Sequence, residues 1–171
     1  MLTGARFMEQ SMMYGRTGQE RRETAGTHTI QDSAAYEMTS GEIARARAFV
    51  RDFLSRAQSL RGASVSERAV DVAQLVVSEL ATNVCKYAAG PCLLDLETDG
   101  SVLDIAMWDS GSVLPAASAA DPTRVGRHGL ELVLMVCQSF EIRREPVGKR
   151  VRVQLSLHDS PNGNPAGQTT W

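Results

Sequence analysis

The sequence has no uninterrupted apolar run of about 18 residues, the length a helix needs to cross a bilayer. Its N-terminus also lacks an apolar core of about 7–15 residues followed by a small-residue cleavage site, so neither a spanning segment nor export by that route is expected. Positive charge is not in excess. Eighteen Lys and Arg stand against 20 Asp and Glu, a formal net charge of −2, which leaves no basic field to hold nucleic-acid backbones or anionic lipid non-specifically. Cysteine is scarce: Cys85, Cys92 and Cys137 are odd in number and lack the close spacing of a zinc site. Reduced thiols in a cytoplasmic protein are expected. No internal repeat is visible.

What is present is enough for one core. A chain of 171 residues, 43% hydrophobic, supports one substantial domain and argues against a second. Residues 1–33 carry Gly4, Gly15, Gly18 and Gly26, the charged run Glu20-Arg21-Arg22-Glu23 and no sustained period, the pattern of a mobile arm. Residues 158–171, rich in Pro, Gly and Asn, read as a disordered tail. The domain is expected over 34–157.

Within it, Ala34 to Thr39 suits an edge strand, and Thr39 or Ser40 can cap a helix running to about Ser59, with Glu42 in its first turn. Ile43, Ala46, Val50, Phe53 and Leu54 form its apolar face; Arg45, Arg47, Arg51 and Arg56 mostly point elsewhere, and a solvated face is the simpler account of them than a docking surface. A second helix starts at the Ser66 cap and meets no Gly or Pro until Gly90-Pro91 ends it. At about 100° per residue, Val70, Ala73, Val77, Leu80 and Val84 share one face, widened on one side by Val72 and Val76. Glu79 and Asn83, one turn apart, fall on that widened side. A carboxylate and an amide set into an apolar margin cost stability unless something binds them.

Strands over Cys92–Thr98 and Val102–Asp109 are joined at Asp99-Gly100, a hairpin signal. Period two puts Asp109 on the apolar side with Leu103, Ile105 and Met107. From Ser110 to His128 the chain turns to Gly, Ser, Ala and Pro, a loop of the length used for lids and binding loops. Gly126-Arg127-His128-Gly129 then opens a short helix, Leu130 to Cys137, apolar on nearly every side but Glu131 and therefore expected to be largely buried. Phe140–Arg144 and Arg150–Leu157 form a last strand pair, with Val151, Val153, Leu155 and Leu157 facing inward.

This order predicts an α+β fold, a two-layer α/β sandwich with helices on one face of a mixed, mostly antiparallel sheet. The helix carrying Glu79 and Asn83, the strand end at Asp109 and the loop ending at Gly129 can then enclose one pocket. Its chemistry would be specific. An aspartate on an apolar wall can accept from the exocyclic amine of a purine, and an asparagine oxygen can ligate Mg²⁺. A glycine-started helix can meet phosphate, and the glutamate is left as a base.

Glu79-Leu-Ala-Thr-Asn83-Val-Cys-Lys-Tyr87-Ala88 resembles the N box of the GHKL (Bergerat-fold) ATPases and kinases. Trp108-Asp109-Ser110-Gly111 is similar to their adenine-binding box, and Gly126-Arg127-His128-Gly129-Leu130-Glu131-Leu132-Val133 to the glycine box after the ATP lid. The compact size and short lid are most similar to the anti-sigma factor serine/threonine kinases of bacterial partner-switching systems. The resemblance implies a site for ATP and Mg²⁺. Glu79 would be the catalytic base, Asn83 the metal ligand and Asp109 the adenine reader; Tyr87, Gly111, Gly126, Arg127, His128, Gly129 and Leu130 would complete the nucleotide site. It also implies two partners, a sigma factor and a small anti-anti-sigma protein of STAS type with a phosphorylatable serine, and is compatible with a homodimer.

The pattern departs from the family's in four places. Val113 stands where a second glycine is usual, Arg127 and His128 where smaller residues precede the last glycine, and Lys149-Arg150 where a threonine often lies near the adenine. Three functional readings follow. One is a kinase and anti-sigma regulator; the second is a non-enzymatic module that uses ATP to fix the lid and present the Arg-rich helix of residues 41–59; the third is a regulator that has lost its nucleotide.

Overall fold

The computed structural model, which describes residues 29–37, 39–88, 90–111 and 128–159, gathers five strands into one sheet of order β1-β2-β3-β5-β4. In chain order the elements are β1 (Ile30–Tyr36), α1 (Ser40–Arg61), α2 (Glu67–Tyr87), β2 (Cys92–Thr98), β3 (Val102–Asp109), α3 (His128–Val136), β4 (Ser139–Arg144) and β5 (Lys149–Ser156). Every strand pair is antiparallel, so the sheet is wholly antiparallel where a mixed one was expected. Hairpin turns join β2 to β3 and β4 to β5, and such links leave no need for a parallel crossover. The α+β sandwich is as expected.

One face of the sheet carries α1 and α2. Phe53 and Leu54 from α1, Val76 and Val77 from α2, and Leu94, Leu103, Ile105 and Val153 from the strands are fully buried between the layers. The other face is wet and polar. There Arg152 grips Asp104 through Nε and Nη2 at 2.6 and 2.5 Å, Trp108 donates its indole N–H to Asp95 at 2.7 Å, and the Arg150 guanidinium stacks over the Trp108 ring at 4.9 Å.

The helix ends follow local chemistry. Ser66 caps α2 by accepting from the Ala69 N–H at 3.1 Å. Thr39 occupies the corresponding place on α1 without a side-chain cap bond. Glu42 instead reaches back to the Glu37 N–H at 2.7 Å. α1 closes on Gly62 at φ 62°, a left-handed exit open to glycine, whose N–H donates to Gln58 O. The arginines of α1 are partly answered within the fold: Arg45 pairs with Glu42 at 2.6 Å, Arg51 lies 3.6 Å from Asp52, and Arg56 binds Asp32 of β1. That is the solvated face expected.

Two expectations changed. β1 runs from Ile30 to Tyr36, not from Ala34 to Thr39. Its inward row contains Asp32, held by Arg56, and an acid there breaks the apolar alternation that would have marked the strand. Helix α3 is not largely buried. Val133 is fully buried, whereas Leu132, Leu134 and Met135 are 42%, 36% and 65% exposed. α3 packs against α2 along one stripe, and apolar composition on the remaining faces does not create a second layer to cover them. Expectations for the N-terminal arm up to residue 28, for the loop over 112–127 and for the tail from residue 160 lie outside the described residues. No helix among the described residues is long and apolar enough to cross a membrane.

The β2–β3 turn supplies a pH-dependent contribution. Asp99 Oδ1 accepts from the N–H groups of Val102 and Ser101 at 2.9 and 2.8 Å, and these bonds hold its carboxyl below the usual 3.8. A depressed folded-state value means stabilisation that is present above pH 3.8 and lost as pH falls through the folded value. Asp99→Ala should lower the thermal midpoint by a few degrees at pH 7. The gap between mutant and wild type should close below the ordinary carboxylate range, as followed by circular dichroism.

Candidate functional site

The second half of α2, the ends of β3 and β5 and the first turn of α3 converge on one cleft. Asn83 from α2, Asp109 from β3, Leu130 from α3 and Lys149 from β5 line it, over Met107 and Val151. Register explains the meeting. Asp109 and Lys149 are direct partners across β3 and β5, and both occupy the inward row of their strands, so period two delivers an acid and a base to the same buried spot. Lys149 Nζ donates to Asp109 Oδ1 at 2.9 Å, with the two side chains only 6% and 1% exposed. The Gly111 N–H donates to the same oxygen at 2.8 Å. Cys92, opposite Asp109 on β2, has its thiol pushed up to about 11, chiefly by burial and next by the Asp109 charge. It remains a neutral thiol, and Cys85, Cys92 and Cys137 form no disulfide among the described residues.

Glycines set the close approaches. A Cβ on Gly148, which sits at φ 81°, would fall onto the Asp109 carbonyl oxygen and lie 2.7 Å from Ser110 Cα. Only glycine lets β5 begin flush against the end of β3, and this brings Lys149 under Asp109. A Cβ on Gly111 would lie 2.5 Å from the Ala88 Cβ just beyond α2. On Gly129 it would fall inside the Glu79 carboxylate. The acid of α2 therefore rests directly on the glycine in the first turn of α3.

Most of the residues expected at the site are brought together. Asn83, Asp109 and Leu130 share the cleft, Gly111 is bonded to Asp109, and Glu79 meets Gly129. Tyr87, the last residue of α2, is 55% exposed and is not part of the cleft lining. Gly126, Arg127 and Val113 lie outside the described residues, as does the side chain of His128, whose backbone begins α3. Arg150 points to the opposite face of the sheet, over Trp108 and 3.9 Å from Glu145, and takes no part in the cleft. Sequence reasoning had not assigned Lys149 a buried ion pair, nor Gly148 a role. The signal was available: Lys149 is two residues before Val151, on the inward phase of β5.

The two ends of the cleft differ in what they could hold. At the Glu79 end, Gly129 presents bare backbone in the first turn of a helix, where free N–H groups and the helix dipole favour an anion. Among the described residues no cluster of three or more His, Cys, Asp or Glu could hold a metal unaided. A single amide oxygen at Asn83, one turn from the Glu79 carboxylate, is the sparse protein donor set that suits Mg²⁺, which keeps waters and takes phosphate oxygens as further ligands. The donor chemistry of the Glu79 end therefore suits a hydrated divalent cation beside an anion. Over the whole cleft, the Asp109 end included, the free space amounts to about 10 Å³, room for one water and not for a purine.

No relative among curated proteins matches the sequence. A family model, the histidine kinase-like ATPase domain, matches residues 39–155, from just before α1 to the penultimate residue of β5, and so spans every residue of the cleft. The chain belongs to the histidine kinase-like ATPase domain family, a membership that implies ATP binding.

Proposed function

We propose that this chain is a protein serine/threonine kinase and anti-sigma regulator, which sequesters a sigma factor and phosphorylates an anti-anti-sigma partner of STAS type. The observation that carries the reading is the contact between Glu79 and Gly129, which sets a carboxylate beside the glycine turn where phosphate would lie. Asn83 would hold Mg²⁺, which supplies charge neutralisation for the phosphates when bound. Glu79 would take the proton of an incoming serine hydroxyl, and the backbone at the start of α3 would meet phosphate oxygens. Such transfer depends on positioning and electrostatics, and the rigid α2 helix fixes both polar groups one turn apart.

A second reading is favoured by the Lys149–Asp109 pair, which closes the base end: a non-enzymatic module of a partner switch, in which ATP only orders the chain for protein binding. The two readings divide on phosphate transfer. Asn83→Ala should weaken Mg·ATP binding at least about tenfold by calorimetry, and loss of a buried charge-assisted contact of this kind is the scale expected. Unchanged affinity would remove Asn83 from the metal site. In the same preparation, wild-type chain incubated with γ-labelled ATP and its captured partners should label a serine; partner capture without label would favour the binding module.

A further inference from the structure

Building on the ATP-site reading, we propose that Lys149 is the affinity-setting residue of the base seat: its ammonium occupies the position at Asp109 that the exocyclic amine of a purine would take. Three observations carry this. Asp109 Oδ1 already accepts two hydrogen bonds, one from Lys149 Nζ at 2.9 Å and one from the Gly111 N–H at 2.8 Å. The carboxylate side chain is 1% exposed, with Lys149 as a lining residue of the cleft beside it. The free volume of the whole cleft, Asp109 included, is about 10 Å³. In that volume a purine amine cannot reach Oδ1 while Lys149 holds it.

The competition is unequal. An ammonium and an exocyclic amine are both N–H donors, but the bond from the ammonium is charge-assisted at both ends and roughly twice as strong as one with a neutral donor. Withdrawing Lys149 also separates two opposite charges in a water-poor site. Adenine therefore enters only after the ion pair opens, and the measured affinity is the intrinsic one reduced by the fraction of molecules in which it is open. The position is set by the fold and not by chance rotamers: Gly148, at φ 81°, is closed in by the Asp109 carbonyl and starts β5 so that Lys149 faces inward.

The test is calorimetry on the full chain with two probes, Mg·ATP and inorganic tripolyphosphate, which has no base. Lys149→Met removes the competing donor at similar length, and Lys149→Gln retains a neutral donor should the bare carboxylate destabilise the chain. Both variants should bind Mg·ATP at least about tenfold more tightly than wild type, a shift that the cost of opening a buried pair makes reasonable. Tripolyphosphate affinity should stay the same in all three. Equal or weaker ATP binding in both variants, with wild type still binding ATP, overturns the role of Lys149 and leaves the ATP site standing. Failure of every form to bind ATP overturns both.

Discussion

Glu79→Gln is expected to lower γ-phosphate transfer by about 10²–10⁴-fold, the usual contribution of a positioned general base. Mg·ATP affinity should stay within about threefold, because the amide keeps the size of the acid and one of its oxygens, and a group acting on the transition state changes turnover more than ground-state binding. Glu79 is half-buried at the margin of α2, so its replacement should not move the unfolding midpoint far. Gly129→Ala gives an independent approach to the same atom. The new methyl would fall on the end of the Glu79 side chain, which is flexible and can swing aside. Misplacing a catalytic group by about 1 Å can cost on the order of 10²-fold, so Gly129→Ala should reduce transfer while the fold survives. The assay is single-turnover labelling of the captured partner. Wild-type transfer by Glu79→Gln would deprive the carboxylate of its role as base while keeping the chain a kinase; only partner capture without any label moves weight to the non-enzymatic reading.

How much of this could be read beforehand depends on whether each residue obeyed the periodicity of its element. Asp109 was legible because Leu103, Ile105 and Met107 set the phase of β3 without interruption, and all three are buried as expected. Glu79 and Asn83 were legible as polar intrusions on a helical face whose other members, among them Val76, Val77, Leu80 and Val84, form the core. Lys149 was equally in phase, yet lysine is so seldom buried without a partner that its position implied a strand boundary and not a core residue. Its partner was the residue already singled out across the sheet, and only the register of β3 on β5 joins them. Helix α3 failed for a different reason. Periodicity tells which faces of a helix are apolar, but not whether another element exists to cover them, and Leu132 and Met135 remain exposed. The edge strand β1 failed because Asp32 is satisfied by a long-range partner, Arg56, invisible to any local pattern.

Asp109→Ala should be the most damaging single substitution for stability at this site. It leaves the Lys149 ammonium, 6% exposed, beside Met107 and Val151 without its carboxylate, and removes the acceptor for the Gly111 N–H. Breaking a buried pair by deleting one partner costs about 3–5 kcal/mol, against a total of about 5–15 kcal/mol for a domain. At roughly 2–4 °C per kcal/mol for a chain of this size, the midpoint should fall by about 10 °C. Asp109→Asn should cost less, since its amide oxygen can still accept from both donors. The double variant Asp109→Ala/Lys149→Met should recover most of the loss, because an intact buried pair contributes little net stability over apolar groups of similar volume. A urea-denaturation cycle on the four proteins measures this directly, the coupling appearing as the difference between the double variant and the sum of the singles. A wild-type midpoint for Asp109→Ala would mean that the two groups are not paired in solution, and the base seat would then be open to a purine without any displacement of Lys149.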